Sequence, residues 1–129
     1  MKEGWRSSWG ALVVILLLAA YPPLFTFAGE KDDTALIARE THWGRPGTLK
    51  DHFMRHGADF GAKSPREYAE MAFQFYRKAQ EEKFPRKVDS DGTIRIYDPK
   101  TNTFGAYNSD GMTKTFFKPK DGKKYWQRQ

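Results

Sequence analysis

Apolar residues follow three patterns along the chain. Near the start they are continuous, with no charged residue from Trp9 to Phe27. Further on, Tyr68, Met71, Ala72, Phe75 and Ala79 recur at spacings of three and four, the signature of a helix with one buried stripe. From Lys87 the period drops to two. Thr93–Tyr97, Thr103–Tyr107 and Met112–Phe117 alternate and are separated by Asp91-Gly92, Asp98-Pro99, Thr101-Asn102 and Asp110-Gly111. Short alternating runs punctuated by such turn residues predict an antiparallel meander.

Punctuation residues set the expected limits. Ser64-Pro65-Arg66-Glu67 combines a capping Ser, a Pro at the first helical position and a Glu to close the capping box. The helix that follows should reach about Lys83 and end before Pro85. A shorter helix is expected upstream. Thr48 caps it with Asp51 as the box residue, Leu49, Phe53 and Met54 line one side, and Gly57 stops it. Residues 29–47 read as a polar lead-in ending in the turn-rich Trp43-Gly-Arg-Pro-Gly47. A fourth strand is expected either at Arg86–Asp89 or near Tyr125. The sum is an α+β domain over residues 48–129: two helices, then a three- to four-stranded antiparallel sheet.

The first 28 residues carry a different message. Lys2 and Arg6 precede the apolar centre Ala11–Ala20, Pro22-Pro23 break it, and Thr26 and Ala28 occupy positions −3 and −1 of a cleavage site. That order is the pattern of a signal peptide. The alternative is an uncleaved anchor crossing a membrane through residues 9–27, a stretch just long enough to span. Both imply a chain that leaves the cytoplasm, either exported to a periplasm or medium or held on a membrane.

Composition narrows the chemistry. The absence of Cys excludes disulfides, thiolate metal sites and a Cys nucleophile. A net charge of +6 and an aromatic content of 16% favour a polyanionic partner. The basic excess is concentrated late, in Lys114, Lys118, Lys120, Lys123, Lys124 and Arg128. Within that tail, Tyr125 and Trp126 either stack on exposed bases or close the core while the lysines stay solvated.

The three histidines, His42, His52 and His56, lie close together in sequence, and the last two share a helix face at i,i+4. Three readings follow. His56 acts as a general acid/base, since imidazole titrates near neutral pH. Or His52 and His56 bind zinc, which would need a third ligand and lacks the Glu of the metalloprotease helix. Or the histidines have no chemistry. On the last strand, Thr113, Thr115 and Phe117 are expected on one side, with Lys114, Phe116 and Lys118 on the other. No Gly-rich phosphate loop, paired-carboxylate site or Ser-His-Asp set is present, and neither a cofactor nor a metal is expected.

Two stretches carry a resemblance. Arg55-His-Gly-Ala-Asp-Phe-Gly61 and Thr115-Phe-Phe-Lys118 resemble the nuclease domain of colicin D, and more broadly the barnase–EndoU–colicin E5/D–RelE group of bacterial toxin ribonucleases. The likeness spans about residues 48–129, and its order of helix then meander agrees with that fold. It implies a metal-independent endoribonuclease, exported and toxin-like, acting on RNA such as tRNA by 2′-hydroxyl transesterification and countered by a cognate immunity protein. It makes His56 the acid/base, Arg55 a phosphate-binding cation and Thr115 a contact to the scissile phosphate. Phe117 takes the place of a stacking group that is often Trp in that family, and Lys118 joins it in binding substrate. Lys50 and His52 have no counterpart in the pattern and enter as accessory substrate-binding groups. The competing reading is a non-enzymatic basic domain, exported or membrane-anchored, that binds an anionic surface or a protein partner.

Overall fold

Ser64 opens the longest helix as its sequence demands. Its hydroxyl accepts a hydrogen bond from Glu67 N at 3.1 Å, and Pro65 takes the first helical position. The Glu67 carboxylate reaches back one residue further than a standard capping box, to Lys63 N at 2.9 Å. In the computed structural model, which describes residues 28–129 with side chains from Asp33 on, this helix is α3, Pro65–Glu82. It buries Tyr68, Ala69, Ala72, Phe75 and Ala79, and ends at Lys83 in the left-handed region with φ of 54°.

Two helices precede α3. The polar lead-in, for which no helix was expected, forms α1, Ala28–Glu40, whose Ala38 is fully buried. Residues 1–27, where the signal or anchor was expected, lie outside the described residues. The next helix, α2, spans Pro46–His56 and starts three residues earlier than a Thr48 cap implied, because Pro46 supplies the first turn. Thr48 therefore lies inside the helix. Its hydroxyl donates to Arg45 O at 2.9 Å and accepts from Trp43 Nε1 at 3.1 Å. Met54, expected on the packed side, is 74% exposed. Gly57 does not stop the chain in a left-handed turn. The backbone continues through a 3₁₀ turn, Gly57–Phe60, and reverses at Gly61 with φ of 67°.

The meander is a four-stranded antiparallel sheet in sequence order: β1 Arg86–Val88, β2 Ile94–Asp98, β3 Thr103–Tyr107 and β4 Thr113–Phe117. The first of the two places considered for a fourth strand is the one used. The Tyr125 segment is instead a short helix, α4, Lys123–Gln127.

The two faces of the sheet have different covers. Ile94, Ile96, Tyr107 and Phe116 meet α3, and Tyr107 donates its hydroxyl to Ala72 O at 2.7 Å. A Cβ on Gly105 would approach that hydroxyl to 2.5 Å, so the Tyr107 ring requires Gly two residues before it. The other face carries Tyr97, Phe104 and Ala106, packed by Phe117 and by Tyr125 and Trp126 of α4. The tail aromatics thus close a second cluster rather than standing free.

Register slips by one residue at the start of β4. Ala106 lies opposite Thr115, but Tyr107 lies opposite Thr113, leaving Lys114 as the extra residue. A slip of one inverts the faces, so Thr113 sides with Tyr107 while Thr115 and Phe117 side with Ala106 and Phe104. Thr113 and Thr115 do not share the face expected of them. Beyond β4, Trp43 forms a bridge with Thr113. Gly44 N donates to Thr113 O at 2.8 Å, and Thr113 N donates to His42 O at 2.7 Å. At the opposite rim, Pro85 precedes the three-residue β1. Among the described residues no helix is long and apolar enough to cross a membrane.

Candidate functional site

The i,i+4 spacing of His52 and His56 puts both imidazoles on one side of α2, with ring centroids 6.1 Å apart. That side lies along β4. His52 Nδ1 is 3.5 Å from Thr115 Oγ1, and the His56 ring stacks on Phe117 at 5.3 Å with an interplanar angle of 29°. The seam between α2 and β4 therefore pairs each imidazole with a strand residue. It is His52, not His56, that reaches the Thr115 hydroxyl.

Both rings are held from behind. Trp43 is buried, pinned by its indole N–H bond to Thr48, and packs edge-on against His52 at 5.2 Å. Phe117 is itself held by Phe104 at 5.3 Å and Tyr125 at 5.4 Å. Such packing fixes side-chain rotamers, which is what orienting a proton-transfer group requires.

Cations surround the seam. Arg55 lies in a cleft of about 590 Å3 together with His56, Asp59, Phe117, Lys118 and Lys120. Its guanidinium pairs with Asp51 at 2.6 Å, and both side chains are more than half exposed. An ion pair so solvated contributes about 0–1 kcal/mol, so Arg55 can exchange the carboxylate for a phosphate oxygen at little cost. Lys118 Nζ donates to Thr101 O at 3.3 Å and sits 5.5 Å over the Phe60 ring. Lys50 is exposed on α2. At two residues before His52 its Cα–Cβ direction is turned roughly 200° around the helix from that of His52.

Sequence reasoning missed Arg45, Asn108 and Lys114, which line a polar depression of about 240 Å3 next to His52. Arg45 had a local signal, since it immediately precedes the helix-starting Pro46. Asn108 had none and Lys114 only its place in the late basic excess, while the position of Lys114 beside His52 depends on the slip in β4. Another cavity, about 650 Å3, lies between α3 and the sheet. It has an apolar floor of Phe60, Met71, Phe75 and Phe116, and Glu67 and Glu70 at its rim. Its charged lining is of mixed sign, with Asp59, Glu67 and Glu70 beside Lys78 and Lys118.

Both imidazoles are held below the ordinary 6.5. Burial is the main cause for each, and the Arg55 cation adds to it. For His52 the neighbouring His56 lowers it further, while Asp51 opposes. For His56 the opposing carboxylates are Asp59 and Asp51. The folded chain thus takes up these protons less readily than the unfolded chain. The associated stability is fully present above pH 6.5 and is lost as pH falls through the two lowered values. We expect the Tm to drop from about pH 7 to about pH 5, and the drop to shrink in a His52→Asn/His56→Asn variant. Thermal melts across that range check this; an equal drop in the variant would exclude the two histidines as its source.

Among the described residues no three His, Asp or Glu side chains converge as a metal ion would need, so His52 and His56 stand without a third ligand. No protein-family model matches the chain, and no curated protein shows significant similarity to it.

Proposed function

We propose that the α2–β4 seam is the active site of a metal-independent endoribonuclease. The observation that carries this reading is the pair of partly buried imidazoles, 6.1 Å apart, beside the Thr115 hydroxyl and within a cationic rim. Phosphodiester transesterification needs one base and one acid on either side of a phosphate, with positive charge around the phosphoryl oxygens.

His56 shares its cleft with Arg55 and Lys118 and takes the proton from the ribose 2′-hydroxyl. The 2′-oxygen attacks the adjacent phosphorus, forming one P–O bond as the P–O5′ bond breaks. His52 gives its proton to the departing 5′-oxygen. The products are a 2′,3′-cyclic phosphate and a free 5′-hydroxyl. Thr115 and Arg55 hold the phosphoryl oxygens, and Thr115 also keeps Nδ1 of His52 turned inward at 3.5 Å. Binding of the phosphate anion raises the affinity of both imidazoles for protons, and so prepares the acid.

The basic start, apolar centre and small residues of the first 28 positions support export, and the likeness to colicin D-type nucleases supports a toxin-like role. A nuclease acting on its own cell's RNA is lethal, so export or an inhibitor protein goes with this reading.

The test is incubation of the purified chain with total tRNA in EDTA. Discrete fragments ending in a 2′,3′-cyclic phosphate are expected, with kcat/KM greatest below pH 6.5 because that parameter reports the free protein's lowered imidazoles. RNA left intact under all conditions overturns cleavage and leaves a basic binding module. Cleavage abolished by EDTA overturns the metal-independent step.

A further inference from the structure

Beyond His52 the seam opens into the depression lined by Arg45, Thr48, Asn108, Thr113 and Lys114. Its lining carries two cations and no carboxylate. The first turn of α2 borders it and holds no acidic residue. No side chain caps that turn, because Arg45 occupies the capping position. Pro46 has no N–H and Thr48 N bonds back to Arg45 O at 2.9 Å, which leaves the Gly47 amide at the positive end of the helix. An uncapped helix start without acids favours an anion.

A second observation is independent of the helix. Thr113 is fully buried, and its Oγ1 has no hydrogen-bond partner among the protein groups. Buried hydroxyls are normally paired, so one left over against a polar depression marks where a ligand oxygen would be received. Lys114, the extra residue of the register slip, also lines the depression, and its Nζ donates to Thr93 Oγ1 at 3.0 Å.

We infer that this depression is a second phosphate subsite, taking the phosphodiester next to the one held at Thr115. The identity of the anion as a polynucleotide phosphate rests on the ribonuclease reading above. Cations then stand at both ends of the histidine seam, Arg45 and Lys114 at one end and Arg55 and Lys118 at the other. A single strand lies along the groove between α2 and β4. The substrate is a strand with several consecutive phosphates rather than a dinucleotide.

Oligodeoxynucleotides test this without cleavage, because they lack the 2′-hydroxyl. Fluorescence anisotropy with the full chain compares a thymidine dinucleotide with a thymidine tetranucleotide over a range of salt. The wild-type chain should bind the tetranucleotide about tenfold more tightly or better, as neutralising a further phosphate implies. In Arg45→Ala/Lys114→Ala most of that advantage should vanish, and the slope of log K against log salt should fall by about 0.7 for each phosphate that is no longer neutralised. Arg45→Lys, which keeps the charge, should keep most of the advantage. Equal wild-type affinity for the two lengths, or an unchanged slope in the double variant, overturns the subsite even where tRNA is cut. Conversely, length-dependent binding by a chain that cuts no RNA upholds the subsite and removes the ribonuclease reading.

Discussion

His56→Ala should lower the rate of tRNA cleavage by about 10²–10⁴-fold, the range for loss of a positioned general acid or base. His52→Ala should fall within the same range, because proton removal and proton delivery are halves of one displacement. The double variant should lose far less than the product of the two factors, since groups acting as a unit are not additive. Single-turnover cleavage separates chemistry from binding. Equal rates in wild type and both single variants would remove the imidazoles from the mechanism. A loss confined to His52→Ala would make His56 a support for Phe117 rather than a reacting group. Both rings are partly exposed, so truncation leaves the core in place.

Phe116→Ala should reduce folding stability by about 3–5 kcal/mol, the usual cost of emptying a core aromatic site. Phe116 is 2% exposed, stacks on Phe60 at 4.1 Å and touches Phe75 at 5.6 Å and Tyr68 at 5.8 Å. Its carbonyl also accepts the Tyr68 hydroxyl. A domain of this size has about 5–15 kcal/mol in total, so the variant should be marginal at 37 °C. Urea denaturation monitored by circular dichroism measures the change, and a loss below about 1 kcal/mol would contradict the packing described. Phe117, one residue on, points to the other face and holds His56. Truncating the two neighbours should therefore separate stability from activity: Phe116→Ala weakens the fold, Phe117→Ala the chemistry.

The parts of the fold legible in the sequence are those with strong local signals. Ser64, Pro65 and the stripe from Tyr68 to Ala79 define α3 because capping, φ restriction and period agree. The meander was legible from period two and its turn dipeptides. Helix α1 was not, because few of its residues are apolar. Ala38 is fully buried, but the nearby Leu36 is 42% exposed, so no stripe emerges. Helix α4 has five residues, too few to show a period.

The site divides in the same way. That His52 and His56 share a face follows from helical geometry alone. That His52 rather than His56 meets Thr115 depends on how α2 crosses a strand 63 residues away, which no local pattern encodes. The slip that places Lys114 beside Arg45 depends on pairing between β3 and β4, which alternation alone does not reveal.

A sheet built as a simple meander leaves two rims, and each unpaired rim is a template on which a foreign strand can grow. Here the Thr113 N–H and C=O are taken by His42 and Gly44, and the Phe116 carbonyl is taken by Tyr68. At the other end the ribbon is only three residues long, is led by a proline and carries Arg86 and Lys87. The same segment that steadies His52 through Trp43 therefore also guards the sheet against edge-to-edge aggregation.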